Sequence, residues 1–337
     1  MARGVAGGFF VMAVLAGLPA CGDTLLDLFR AEKPPGALLK ETPPEIQATP
    51  VPLNMASPEV VEVGQLRYRG GLSLTSEDRR FGGLSGLTID PEGRDFIAVS
   101  DAGYWISGGL VHDDAGDLVG VIDVRIEPMR DVDGRYLRWS HYRDAESVTR
   151  TPDGSLVVAF EQQHRLWSYA DVGTTPTALA SPPGLDAAPS NEGIEALATL
   201  PDGRLLALTE GLFLESGLLR GWVEDGAGGW HALSYGTGGG FRPTGATVLP
   251  DGDVLVLERR FPPVGARFRR FPASEAVAGA TIRPREIARL EGALTVDNME
   301  GISARLTPDG RTLVYVVSDD NFRPIQRTLL MLFEVLE

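Results

Sequence analysis

The chain has 337 residues, 43% of them hydrophobic, with 41 glycines, 24 prolines, one cysteine and a formal net charge of −15 at pH 7. That length suits one large β domain or two ordinary ones, and the glycine and proline content suits many short strands joined by turns. The acidic balance argues against a nucleic-acid or anionic-lipid surface, which needs a basic face, and the lone cysteine excludes an intramolecular disulfide.

Arg3 supplies a short positive start, residues 5–19 are apolar, and Leu18-Pro19-Ala20-Cys21 closes the stretch. It is too short to span a bilayer and has the length of a signal peptide's apolar region. A small residue before a lone cysteine is similar to the lipobox of bacterial lipoproteins. These features predict a signal peptide over residues 1–20 and lipidation of Cys21, with a plainly secreted protein cleaved nearby as the alternative. Residues 30–60 then carry seven prolines and no periodicity, the composition of an extended, semi-rigid tether. Residues 21–60 would thus hold a domain over residues 61–337 to the cell envelope, on the periplasmic side or at the outer membrane.

Beyond residue 61 one pattern recurs five times: an apolar run, a Pro-Asp-Gly-type turn and a second apolar run. The turns are Pro91-Glu92-Gly93, Pro152-Asp153-Gly154, Pro201-Asp202-Gly203, Pro250-Asp251-Gly252 and Pro308-Asp309-Gly310. Their prolines lie 61, 49, 49 and 58 residues apart. A period of roughly 40–50 residues built on a β-hairpin is the signature of a propeller blade. Weaker strands follow the hairpins over residues 165–169, 218–223 with 230–235, and 267–271 with 287–290. From Pro308 to the C-terminus there are 29 residues and from Glu62 to Pro91 another 29, and their sum of 58 is one more repeat. Residues 65–74 are therefore expected to add a strand to the blade made by residues 302–336, closing the ring and hiding its open edges. The fold class is all-β: a single β-propeller of four-stranded blades, five by count, six if one turn signal is degenerate. A monomer is expected.

Antiparallel pairing places each turn at one end of its hairpin, so first-strand starts and second-strand ends share the other end. The first strand of a blade lies nearest the propeller axis, which puts those shared ends at one mouth of the central channel. First-strand starts carry Ser85, Asp144 with Glu146, Glu192 with Glu195, Thr244, and Asp297-Asn298 with Glu300. Second-strand ends carry Asp101, Glu161, Glu210, Glu258 and Asp319-Asp320-Asn321. Nearly every slot is acidic. Period-2 alternation from the turn puts Glu146, Glu195 and Glu300 on one face of their strands.

Converging carboxylates raise one another's pKa unless a cation neutralises them. Ca²⁺ suits carboxylate and amide oxygens in flexible numbers, so Glu146, Glu195, Glu300, Asp319, Asp101, Asp144, Asp297 and Glu258 are the candidate ligands. The histidines His112, His141, His164 and His231 are scattered, which disfavours zinc. Glu161 and Glu210 are candidates to orient an attacking water. Arg242 and Arg259, with Asn298, Asn321 and Ser85, are candidates to bind a small anionic or phosphorylated substrate. The alternative for each acid is a strand-end cap or a bond between blades. Ser85 lies in Gly83-Leu84-Ser85-Gly86-Leu87, which lacks the glycine spacing of a nucleophile elbow. Gly238-Gly239-Gly240 lacks a following Lys-Ser/Thr and reads as a loop. The tryptophans read as blade packing.

Together, Phe81-Gly82-Gly83-Leu84-Ser85-Gly86, Asp144-Ala145-Glu146, Asn191-Glu192-Gly193-Ile194-Glu195-Ala196, Leu257-Glu258-Arg259, Asp297-Asn298-Met299-Glu300-Gly301 and Ser318-Asp319-Asp320-Asn321-Phe322 resemble the bacterial phytase-like family. It is also called the "esterase-like activity of phytase" family, and the resemblance runs from about residue 62 to the C-terminus. It implies acidic residues serving phosphoester hydrolysis. A more distant likeness is to calcium-dependent β-propeller phytases, in which a hairpin beginning Glu-Gly and ending in paired acids lines a calcium site, as Glu300-Gly301 and Asp319-Asp320 would here. The functional expectation is a cation-dependent phosphoesterase of the cell envelope. A non-catalytic, lipid-tethered binding propeller is the alternative, and a sugar-lactone-type hydrolase the third.

Overall fold

The computed structural model describes residues 39–336, apart from residues 41 and 139. The signal peptide, Cys21, most of the expected tether and Trp139 lie outside the described residues. Five antiparallel blades form a ring. The first holds Leu84–Ile89, Asp95–Ser100, Tyr104–His112 and Leu118–Pro128; the second, Ala145–Arg150, Leu156–Phe160, Arg165–Tyr169 and Thr177–Ala178. The third holds Ile194–Thr199, Leu205–Phe213, Leu219–Glu224 and Trp230–Tyr235; the fourth, Arg242–Val248, Asp253–Arg260, Gly265–Pro272 and Arg285–Glu291. The fifth joins Asn298–Leu306, Thr312–Asp319 and Thr328–Val335 to Leu66–Thr75 from the other end of the domain. The ring closes as the repeat arithmetic expects, with Leu330 opposite Leu72.

Each repeat turn is the same device. The turn glycine has a positive φ in all five, between 71° and 92°, and donates its N–H to the carbonyl three residues back, as Gly154 does to Thr151. Glycine takes that conformation without a Cβ penalty. Five apolar clusters fill the five gaps between successive blades. Trp105, Trp167 and Trp222 are buried in them.

The first strands crowd around the axis. The residues at one equivalent position are all small: Gly86, Ser147, Ala196, Gly245 and Gly301. A Cβ on Gly301 would stand 2.9 Å from the backbone nitrogen of Leu87 in the next blade, and one on Gly245 would stand 2.6 Å from the carbonyl oxygen of Glu300. Hydroxyls then sew blade to blade. Thr149 Oγ1 accepts the Thr199 N–H (3.1 Å), Thr247 Oγ1 accepts that of Ala304 (3.1 Å), and Ser303 Oγ accepts that of Ile89 (3.0 Å).

Two elements depart from the sequence expectation. Part of the stretch read as tether is packed: Gln47–Pro50 pairs with Leu66–Thr75 as an outer strand, and Leu53 is buried against the fourth and fifth blades. Edge strands tolerate proline, whose missing N–H faces no partner there. Thr281–Ile282, from the long connection inside the fourth blade, crosses back to pair in parallel with Trp230–Tyr235 of the third.

Candidate active site at the channel mouth

A β-bulge sits at the same place in every first strand. The ladder skips Ser85, Glu146, Glu195, Thr244 and Glu300, each flanked by two paired residues. A bulge leaves its residue outside the pairing and re-aims its side chain. Three of the five are glutamates lining a cavity of about 220 Å³ at the mouth. The two hydroxyl residues turn elsewhere: Thr244 Oγ1 donates to the Met299 carbonyl (2.8 Å), and Ser85 is buried with its hydroxyl toward the Gly83 carbonyl (3.4 Å).

The facing second-strand residues form a matching ring, one per blade: Asp101, Glu161, Glu210, Arg259 and Asp319. Each follows directly on the residue opposite its blade's bulge: Ser100, Phe160, Thr209, Glu258 and Ser318. The fourth position corrects the sequence reading, which put Glu258 in the ring. Strand pleating turns Glu258 away from the mouth, where it is fully buried and accepts hydrogen bonds from Tyr235 Oη (2.7 Å), Arg267 Nε (2.5 Å) and Arg269 Nη1 (3.2 Å). Arg242 also leaves the mouth, its guanidinium lying 4.5 Å from the Phe213 ring centroid. Asp297 stands in a neighbouring cleft, 3.3 Å from Arg327 Nε.

Asp101, Asp144, Glu146, Glu161, Glu195, Glu300 and Asp319 therefore share the cavity lining with Arg259, Asn298 and Asn321. Glu210 stands behind Arg259. Gln162 and Asn191 complete the lining and were not among the sequence candidates; Asn191 opens a motif quoted above, while nothing in the sequence marks Gln162. Gln162 and Asn321 both hold positive φ, 57° and 50°. Gln162 Nε2 donates to Asp144 Oδ2, and Asn321 N–H donates to Asp319 Oδ1 (2.6 Å).

Arg259 is the internal counter-charge. Its Nη2 donates to Glu210 Oε1 (3.0 Å) and its Nη1 to Asn298 Oδ1 (3.0 Å), while Nε lies 3.0 Å from Glu300 Oε1. Burial opposes its charge, but Glu300, Glu195 and Glu210 outweigh that and hold Arg259 firmly cationic. One arginine does not neutralise seven acids. Burial, with neighbouring carboxylates adding to it, pushes Glu161 up to about 9; burial and Glu210 push Glu300 up to about 8 against the pull of Arg259. Glu195 and Asp319 are raised well above the ordinary carboxylate range for the same first reason. Glu195 Oε2 is buried without a hydrogen-bond partner among the described residues.

Asp144, Glu146 and Glu161 each place one carboxylate oxygen within 4.8 Å of the other two. Three oxygen donors at that spacing, in a site with excess negative charge, fit a hard divalent cation.

The sequence matches the family model described as phytase-like, "Esterase-like activity of phytase", over residues 79–322. The chain belongs to the phytase-like family. The family's description is hydrolytic, and here it is carried on a five-bladed propeller. No curated protein matches the sequence. Solved structures similar to this family member include a gluconolactonase from Xanthomonas campestris, at 12% identity, covering 89% of this chain and 96% of that one, with a TM-score of 0.44. Virginiamycin B lyase from Staphylococcus aureus is 12% identical over 86% and 99% of the two chains, with a TM-score of 0.42. PQQ-bound aldose sugar dehydrogenase from Streptomyces coelicolor is 14% identical over 86% and 99%, with a TM-score of 0.41.

Proposed function

We propose that this phytase-like propeller is a calcium-dependent hydrolase of small anionic esters, phosphoesters first, working at the acidic mouth. The observation that carries the reading is the convergence of seven carboxylates on one cavity with a single arginine among them. Asp144, Glu146 and Glu161 would hold the cation, with Asp101 and Asp319 completing the negative ring. A bound cation would polarise the phosphoryl group and lower the pKa of water, so that no serine or histidine nucleophile is needed. Glu195 is the group best placed to take a proton from the attacking water: its Oε2 accepts no hydrogen bond among the described residues, and Arg259 Nη2 stands 4.0 Å from it, against 3.0 Å from Glu210. Glu210 is held by Arg259, and Glu161 belongs to the acidic triad, so both yield that role to Glu195. Bases whose pKa stands above the carboxylate range favour turnover at neutral to alkaline pH.

The test is a screen of phosphomonoesters and phosphodiesters with and without calcium, with Glu195→Gln alongside. Hydrolysis that needs calcium and falls at least about a hundredfold in the variant supports the reading, a loss on the scale of one positioned catalytic group. Tight calcium binding with no ester hydrolysed would favour the binding-module alternative, and absence of calcium binding would leave the carboxylate ring a structural one. We also propose that the domain is exported and lipid-anchored through Cys21, supported by the apolar stretch ending at that residue. Cys21→Ser should move the protein from the membrane to the soluble fraction, and if both forms are soluble the anchor is absent.

A further inference from the structure

A second, larger cleft of about 520 Å³ adjoins the acidic mouth and shares Arg259, Asn298 and Asn321 with it. The chemistry of the two is different. The mouth has no apolar side chain among its lining residues, whereas the cleft is lined by Phe261, Val264, Val296 and Ile325. Phe261, Val264 and Ile325 are 76%, 37% and 54% exposed, an unusual cost in water for large apolar side chains gathered at one site. Two of the three arginines beside them are committed. Arg259 is held by Glu210 and Asn298, and Arg260 lies 3.0 Å from Glu291 Oε2 and 4.6 Å from the Phe241 ring centroid. Arg323 makes no ion pair among the described residues, and its Nε is buried without a hydrogen-bond partner.

We infer that the cleft is the subsite for the apolar arm of the ester cut at the mouth, which makes the substrate an amphiphilic monoester rather than a polyanion. This rests on the reading of the mouth as the ester-binding site. The anionic head would sit where mouth and cleft meet, within reach of Arg323, and an aryl or alkyl arm would cover Phe261, Val264 and Ile325. An inositol polyphosphate would instead press phosphates against those three side chains, which offer no donor, and desolvating an anion there is costly. Small-ligand sites commonly pair an apolar wall with a few polar groups that fix orientation.

The experiment compares binding of methylphosphonate, naphthylmethylphosphonate and uncharged naphthylmethanol to the purified protein in calcium, by calorimetry, so that turnover is not needed. Naphthylmethylphosphonate should bind about tenfold or more tightly than methylphosphonate, the gain expected for burying a ring-sized apolar area. Phe261→Ser and Ile325→Ser should bring that ratio toward one, and being exposed they leave the fold in place. Equal affinity of the two phosphonates, or a ratio that survives both substitutions, overturns the inference while the mouth reading stands. If calcium titrated into the metal-free protein gives no binding, it is the mouth reading that fails. The cleft is then judged by naphthylmethanol alone: binding that depends on Phe261 upholds an apolar subsite, and no binding overturns it.

Discussion

Between Glu258 and Arg259 the pleat of one strand sends one side chain into the packing of the fourth blade and the next into the mouth. Glu258 is the anion between Arg267 and Arg269, with Tyr235 and Thr237 completing its bonds. Glu258→Gln should therefore cost about 3–5 kcal/mol of folding stability, the usual result of stripping one partner from a buried ionic cluster, while calcium affinity stays as it was. Arg259→Gln has a different signature. Glu195 and Glu300 lose the one cation that faces them among the described residues, so the calcium-free protein is destabilised more at pH 8 than at pH 6, where protons can take the place of the arginine. Calcium should bind the Arg259→Gln protein more tightly at pH 8, because a competing positive charge is gone. Urea unfolding with calcium and with a chelator, beside calcium titration of each variant, reads both effects. Parallel loss of stability and of calcium affinity in Glu258→Gln would return that residue to the mouth.

At the scale of strands, the repeat, the turns and the closing strand were legible because each leaves a mark in composition or spacing: Pro-Asp-Gly at the turn, alternation beside it, and a remainder equal to one repeat. The bulges leave almost none. An extra residue in one strand shifts the register by one, and register decides which side chain faces the axis. Glu258 was misplaced for another reason: it is the acid nearest the strand end, although the spacing from the turn favours its neighbour. Counted from the turn glycine, Glu161 and Glu210 lie seven residues on (161 − 154 and 210 − 203), and so does Arg259 (259 − 252). Packing of Gln47–Pro50 was hidden because proline content is the same in a tether and in an edge strand. The two-residue parallel strand Thr281–Ile282 is too short to carry a period. The closing strand Leu66–Thr75 yields a direct test. It buries Leu66, Leu72 and Leu74 almost completely, and each such side chain is worth about 1.5–3 kcal/mol. Losing three, about 4.5–9 kcal/mol, is comparable with a typical stability of about 5–15 kcal/mol, and the deletion also bares an open edge in the fifth blade. A chain beginning at Ser76 should lose its cooperative unfolding transition or aggregate, as seen by circular dichroism and sedimentation. Unfolding like that of the whole domain would mean that Leu66–Thr75 does not close the ring.

For the molecule as a whole, the acidic mouth couples stability to pH in a direction opposite to the usual behaviour of surface carboxylates. Glu161, at about 9, and Glu300, at about 8, stand above the ordinary value of 4.5 that they regain in the unfolded chain. Between those limits the folded protein holds protons that the unfolded chain has released. Their stabilising contribution is full below about pH 4.5 and is lost as pH rises through 8 and 9, at about 1.4 kcal/mol per pH unit for each proton held. The calcium-free protein should therefore have a Tm that falls steadily from pH 6 to pH 9. A cation needs ionised ligands, so calcium binds by displacing those protons and stabilises the fold most where the chelated protein is weakest. With saturating calcium the Tm should fall much less over the same interval. Calcium titrated at pH 7 in two buffers of different ionisation enthalpy should give apparent heats that differ by the heat of the protons released. A chelated protein whose Tm is level or rises from pH 6 to pH 9 would show that the mouth carboxylates are already ionised without a cation, and the electrostatic case for calcium would fall with it.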